Sequence, residues 1–325
     1  MIGRSTPALG QAVSVILTGA VAFGAALGVI ALHNYGWTLF VGLPYFIGFL
    51  AATILRRWGP KRLGTCLLVA GEAAGVVSLA FLLLGQEGII CIILALPIAL
   101  PFVLLGAGMA YLLLHRRAIA PPAGAAALLV VALAGLLWAE GRIRRVAPSY
   151  TVSDGVTIAT PPAVVWHALV TMGSLGQPRD LLFRMGVACP QRVDIYGTGE
   201  GALRVCTLTT GQLQERITSW EPGREMRWVS VSTPPPLREL NPFHRTDPPH
   251  LRGFYRSVGG QFELRALGPT ATRVIRSSTY QHNLYPAWYW RLWCDYVARR
   301  GHVHVLNVLK QDAERNLAAA SLTGR

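Results

Sequence analysis

Five apolar runs, at residues 13–32, 37–55, 64–84, 88–114 and 123–139, fill the first part of the chain and then stop. A helix needs roughly 20 apolar residues to cross a bilayer, with about 17–25 tolerated. Lipid offers backbone amides no partner outside a helix or a closed barrel, so runs of this length predict a bundle of membrane-spanning helices. The fourth run is the longest and holds Pro97 and Pro101, which predicts a kinked or tilted helix. The fifth is the shortest and is rich in Ala and Gly. Ala20-Val-Ala22 has the small-residue spacing of a signal-peptide cleavage site, but the apolar run continues past it, so the first run is expected to persist as a span.

Near residue 146 the charge pattern changes. Residues 1–145 carry ten Lys and Arg against three Asp and Glu, gathered at the ends of the apolar runs. Residues 146–325 carry 20 against 13, spread along the sequence as on a solvated surface. The chain has a net charge of +14, but no nucleic-acid-binding motif accompanies it, so nucleic acid is not expected as a partner. The basic residues have another explanation. Cytoplasmic loops of membrane proteins collect Lys and Arg. Arg56, Arg57, Lys61 and Arg62 lie between the second and third runs, Arg116 and Arg117 between the fourth and fifth, and Arg4 before the first. Five spans put all of them on one side, the cytoplasmic one. The loops around Asn34 and Gln86–Glu87 carry no Lys or Arg and fall on the other. The part after residue 146 is then expected outside the cytoplasm, although Arg142, Arg144 and Arg145 pull against that placement.

Within the runs, Glu72 is the exception to apolarity. An ionisable group at that depth is costly and marks a candidate functional position. It sits in Gly71-Glu-Ala-Ala-Gly75, and Gly24 and Gly28 repeat the spacing. Both are small-residue faces through which helices approach closely, including those of a homo-oligomer. No second ionisable residue occupies mid-span to complete a relay, so a structural role for Glu72 competes with transport.

The second half reads as α+β. A strand at 152–158 is followed by Thr160 as N-cap, Pro161-Pro162, and a helix over 163–172. Strands are predicted at 192–196, 202–209, 213–220, 225–231, 255–266 and 272–282, separated by short turns that imply antiparallel neighbours. A long helix begins after Pro286 and runs to about 317, with Leu292, Trp293, Tyr296, Val303, Leu306 and Leu309 at helical spacing. Cys189 and Cys206 are either a disulfide or two buried thiols; no C-x-x-C occurs among the five cysteines.

The run from Val156 to Leu169, Val-Thr-Ile-Ala-Thr-Pro-Pro-Ala-Val-Val-Trp-His-Ala-Leu, resembles the first strand and helix of the START-like (SRPBCC) superfamily, which includes polyketide cyclases, lipid-transfer domains and plant hormone receptors. The resemblance covers about 150–318. Within it, Gly199-Glu-Gly-Ala-Leu-Arg-Val-Cys206, Pro248-Pro-His-Leu-Arg-Gly-Phe-Tyr255 and Tyr285-Pro-Ala-Trp-Tyr-Trp-Arg-Leu-Trp293 are similar to uncharacterised membrane-anchored bacterial members. The resemblance implies an all-α transmembrane bundle (1–145) joined to a helix-grip domain (146–325), a curved antiparallel sheet around a long C-terminal helix with a hydrophobic ligand between them. A lipid or polyketide/isoprenoid-like ligand and the bacterial inner membrane are expected with it, and no cofactor is expected. No single catalytic set belongs to the superfamily, so none is transferred.

Candidate site residues follow from strand periodicity. Leu213, Glu215 and Ile217 share one face, and if it is the inner one, Glu215 is a buried carboxylate able to act as acid/base or to hold a polar group. Tyr255, Arg256, Tyr280, His282, Tyr289 and Trp293 come from strands and a helix start that should meet at one end of the cavity. The Pro-rich stretch 233–252 is long enough to be a lid, a membrane-resting loop or a stiff surface excursion. His244, Asp247 and His250 within it are spaced like metal ligands but lack a fourth, and no metal is expected. His302 and His304 are two apart on a helix and cannot pair. The function these residues point to is binding or transfer of a hydrophobic ligand at a membrane. The alternatives are a cyclase/dehydratase-type enzyme and a structural or regulatory module.

Overall fold

The computed structural model describes residues 7–59, 61–115, 123–143, 146–178 and 180–323. Arg4, Arg116, Arg117, Arg144 and Arg145, which enter the topology argument, lie outside the described residues. Two compact units emerge. The first comprises Met1–Val146 with Glu239–His250 and Leu284–Tyr289; the second comprises Ala147–Arg238, Leu251–Asn283 and Trp290–Arg325.

The first unit is built on α1 (Pro7–Ala31), α2 (Leu43–Leu55), α3 (Leu63–Leu83), α4 (Ile89–His115) and α5 (Ala123–Arg142), with a π-helical turn at Thr38–Gly42 leading into α2 and a 3-10 turn at Arg56–Trp58 leaving it. Four helical segments among the described residues are long and apolar enough to cross a membrane: Ala8–Ala31, Thr38–Trp58, Leu63–Leu83 and Ile89–Leu114. This corrects the expected five: the last apolar run does form a helix, α5, but it is not one of the four, and its final turn carries a buried Glu140. α4 runs through Pro97 and Pro101 without interruption.

Helix ends identify two ends of the bundle. At one, the Arg56 guanidinium donates to the Leu114 carbonyl at 2.6 Å, bringing the ends of α2 and α4 together. At the other, Glu140 closes α5 onto the start of the second segment. Its carboxylate accepts from the Trp37 and Thr38 amides at 2.6 and 3.0 Å, from the Thr38 hydroxyl at 2.5 Å and from the Asn34 side chain at 3.1 Å. Exposed helix-start amides and a carboxylate are natural partners. The separated segments join this end too. Ile89 N–H donates to the Leu240 carbonyl at 2.8 Å, Tyr285 N–H to the Tyr35 carbonyl at 3.0 Å, and the Asn241 amide to the Leu82 and Glu87 carbonyls at 2.8 and 3.1 Å.

Glycines set the closest helix approach. A Cβ on Gly48 of α2 would collide with the Val103 carbonyl of α4, and one on Gly106 of α4 with the Tyr45 carbonyl of α2. Gly24, Gly28, Gly71 and Gly75, the faces the sequence points to, have open space within 4 Å. Glu72 beside them is exposed.

The second unit contains β1 (Ser149–Ile158), α6 (Pro162–Val170), β2 (Gly173–Ser174), α7 (Leu181–Arg184), β3 (Pro190–Tyr196), β4 (Leu203–Leu208), β5 (Gly211–Glu221), β6 (Glu225–Ser232), β7 (Tyr255–Ala266), β8 (Thr272–His282) and most of α8 (Ala287–Thr323). All strands pair antiparallel in one sheet ordered β1-β8-β7-β6-β5-β4-β3-β2. Register shifts at Pro190/Arg192, Gln214/Glu215, Ile217/Ser219 and Ser257/Gly259 help curve it, since a bulge bends the strand that carries it. The curved sheet grips α8: Ile217, Trp228, Phe262 and Val274 from the strands form one core with Val305 and Leu309 of the helix and Val165 of α6. Thr160 does not cap α6. Pro161 takes that position, and the Thr160 carbonyl accepts from the Thr272 hydroxyl at 2.7 Å. All five cysteines are free, with Cys189 and Cys206 buried, which settles the disulfide alternative.

Candidate functional site

The inner face of the sheet is apolar toward the C-terminal half of α8 and polar toward its N-terminal half. Three buried polar groupings lie on it, each supplied by period-two positions that share a face with core residues.

The first is an ion pair. Arg204 of β4 and Glu215 of β5 are directly opposed in the ladder, and the guanidinium donates through Nη1 to the Glu215 carboxylate. Both side chains are 3% exposed. Glu215 therefore points inward, with Ile217 beside it in the core, but it is a neutralised partner and not the lone carboxylate that acid/base work needs. Arg204 also lies 4.4 Å over the Trp228 ring. Burial pulls its guanidinium down to about 10, with Arg276 adding repulsion.

The second is a hydrogen-bond chain linking sheet and helix. His302 of α8 shares Nε2 with the Ser278 hydroxyl and Nδ1 with the Asp154 carboxylate, both at 2.8 Å, and Arg299 holds the other Asp154 oxygen at 3.0 Å. Burial, reinforced by the nearby Arg276 charge, pushes the imidazole pKa down to about 4 against the pull of Asp154. His304 faces elsewhere, as spacing on a helix requires. Two turns toward the N-terminus of α8, the Tyr280 hydroxyl donates to Asp295 at 2.6 Å, and burial raises its pKa.

The third is Arg276 itself. It shares the inner face of β8 with Val274, Ser278 and Tyr280, is buried, and lies 5.4 Å over the Phe262 ring. Its Nε and Nη1 are buried without a hydrogen-bond partner among the described residues, and so is Nε1 of Trp293. Unsatisfied buried donors are rare, because each costs about 1–3 kcal/mol and more when charged. They mark positions where a bound group would complete the bonding.

The expected site residues divide. Tyr255, Tyr280 and His282 meet: Tyr280 stacks on Tyr255 at 5.7 Å and lies tilted against Tyr150 at 5.6 Å, and His282 stacks 5.2 Å from Tyr150. Trp293 is half-buried on α8. Arg256 is exposed and does not join them. Tyr289 belongs to the first unit, where its hydroxyl donates to the Leu94 carbonyl. Of the 233–252 stretch, Glu239–His250 groups with the helices of the first unit. Within it His244 bonds the Leu83 carbonyl at 2.8 Å, so it forms no cluster with Asp247 and His250. Asp154, Arg204, Arg276, Ser278 and His302 were not among the expected site residues. For Arg276 and Ser278 a signal existed, since both alternate in phase with Val274 and Tyr280. The pairing of Arg204 with Glu215 needed the ladder register.

No family model and no curated protein matches the chain. Solved structures do resemble it. The ZhuI aromatase/cyclase from a Streptomyces species is 19% identical and covers 53% of this chain and 98% of its own, with a TM-score of 0.37. Norcoclaurine synthase from Thalictrum flavum is 8% identical over 53% of this chain and 99% of its own, TM-score 0.35. TTHA0849 from Thermus thermophilus is 16% identical over 52% and 99%, TM-score 0.33. By its own sheet order and gripped terminal helix, the second unit has the helix-grip fold implied by the START-like resemblance.

Proposed function

We propose that this chain is a membrane-anchored protein that binds or transfers a hydrophobic ligand bearing an anionic group. Arg276 carries the reading. A buried guanidinium with two unpartnered nitrogens, set among aromatic and aliphatic side chains, suits a carboxylate, enolate or phosphate at the end of an apolar molecule. The apolar segments supply the anchor, and a binding fold held at a bilayer exchanges apolar molecules with little exposure to water. The anchoring membrane in this reading is the bacterial inner membrane. Its orientation follows from charge: Arg56, Arg57, Lys61 and Arg62 mark the cytoplasmic end, and Asn34, Glu87 and Glu140 gather at the other. In this reading α5 also crosses, from the Leu114 end to the Glu140 end, which puts the second unit on the extracytoplasmic side; without that crossing the four spans would leave it in the cytoplasm.

A cyclase or hydrolase reading draws on the Ser278–His302–Asp154 chain, which has the bonding order of a catalytic triad. Two facts weigh against it. Ser278 sits mid-ladder, paired with Val152 on one side and Gly260 on the other, so its strand has no spare amides for an oxyanion. His302, with its pKa near 4, is a weak base at neutral pH.

Native mass spectrometry of the detergent-purified protein tests the binding reading. A co-purifying anionic lipid or acyl species is expected, and it should be absent from Arg276→Met. Because that substitution removes an unpaired buried charge, melting temperature should hold or rise as ligand is lost. Retention of the same species by Arg276→Met would overturn the assignment, as would a wild-type protein that binds no such molecule when offered fatty acid or phospholipid.

A further inference from the structure

At the Glu140 end of the first unit, three chemically diverse side chains converge from two distant parts of the chain. Glu87 precedes α4, Cys91 lies in its first turn, and His250 ends the Glu239–His250 segment. The Cys91 sulfur is 2.9 Å from His250 Nε2, and His250 Nδ1 is 3.5 Å from Glu87 Oε1. One donor atom from each residue lies within 4.8 Å of the other two. We propose that Glu87, Cys91 and His250 form a zinc-class divalent cation site.

Two further observations point to a ligand there. His250 and Glu87 side chains are only 10% and 13% exposed, and yet Glu87 Oε2 is buried without a hydrogen-bond partner among the described residues; His250 would ligate through Nε2, which faces Cys91, leaving Nδ1 toward Glu87 Oε1. The surroundings also hold the donors in place. Glu239 accepts from the Ile90 and Cys91 amides at 3.2 and 3.0 Å, fixing the first turn of α4, and the Tyr35 ring lies 5.0 Å from His250. Gly88 lets Glu239 approach, since a Cβ there would run into its carboxylate.

The donor set selects the cation. A thiolate, a neutral imidazole and a carboxylate neutralise a 2+ ion and match the mixed S, N and O preference of zinc. With bonds of about 2.3 Å to sulfur and 2.0 Å to nitrogen, a tetrahedral ion needs sulfur and nitrogen about 3.5 Å apart. Cys91 and His250 reach that by parting roughly half an ångström. Three protein ligands leave one position for water. Binding displaces the Cys91 thiol proton and ties residues 239–250 to the start of α4.

The test uses the full-length protein in detergent, stripped with chelator and titrated with Zn2+ against a chromophoric competitor, then with Co2+. We expect one equivalent bound and a thiolate-to-cobalt charge-transfer band in the near ultraviolet. Cys91→Ser should abolish the band, and His250→Ala and the gentler Glu87→Gln should each weaken Zn2+ binding more than tenfold. His244→Ala, a neighbour outside the cluster, should leave both unchanged. Each variant is first checked for a monodisperse elution profile, and Glu87→Gln preserves shape if the others misfold. Sub-stoichiometric binding by the wild type, or equal binding by Cys91→Ser and Glu87→Gln, would sink the proposal. The site lies wholly in the first unit and stands or falls independently of the Arg276 reading.

Discussion

At the scale of residues, the second unit buries Arg204, Glu215 and Arg276, and the ion pair is the clearest case. Removing one partner from a buried pair strands the other's charge, at a cost of about 3–5 kcal/mol, whereas replacing both with apolar groups is close to neutral or stabilising. Glu215→Gln should therefore destabilise by that amount, and Arg204→Met with Glu215→Leu should recover most of it in thermal melts. Equal melting of the single and double variants would contradict the pairing. His302 makes stability depend on pH. Its folded pKa of about 4 lies below the ordinary 6.5, so between these values the unfolded chain binds more protons and stability is lost as pH falls. The loss should approach roughly 3 kcal/mol near pH 4. The groups facing the imidazole are Asp154, Arg299, Arg276 and Ser278. Comparing wild type with His302→Gln at pH 7 and 4.5 isolates this contribution, and an unchanged difference between the two pH values would remove it.

At the scale of elements, the strands were legible because each has one buried and one solvated face. Phe262 and Leu264 are buried while Glu263 between them is half-buried and Arg265 beyond them is exposed, and β7 and β8 begin and end where alternation predicts. The two-residue β2 and four-residue α7 were not predicted, because pieces that short have no periodicity to read. Helix ends behaved likewise. Glu140 reads in sequence as the polar end of an Ala-rich run, and only the fold shows that it caps a helix start about a hundred residues earlier. Glu140→Ala should lower bundle stability by about 1–2 kcal/mol, the usual value of a lost cap, with visible loss of monodisperse protein in detergent. No change on gel filtration or melting would show the cap to be incidental.

At the scale of the whole molecule, the orientation proposal is the one with most consequence, since it decides which compartment supplies the ligand. A reporter fused after Arg325 that is active only outside the cytoplasm should be active, and a cytoplasm-only reporter silent; the reverse result would invert the topology. Local composition determined the apolar helices, the antiparallel strands and the long terminal helix, because hydrophobic periodicity is set by near neighbours, while the grip on that helix came from the resemblance and the face of Glu215 stayed open. Only tertiary structure decided that Glu215 is neutralised by Arg204, that Arg276 is buried without a full set of partners, and that His250 meets Glu87 and Cys91. Those contacts join residues brought together by ladder register and chain return, which leave no periodic trace in sequence.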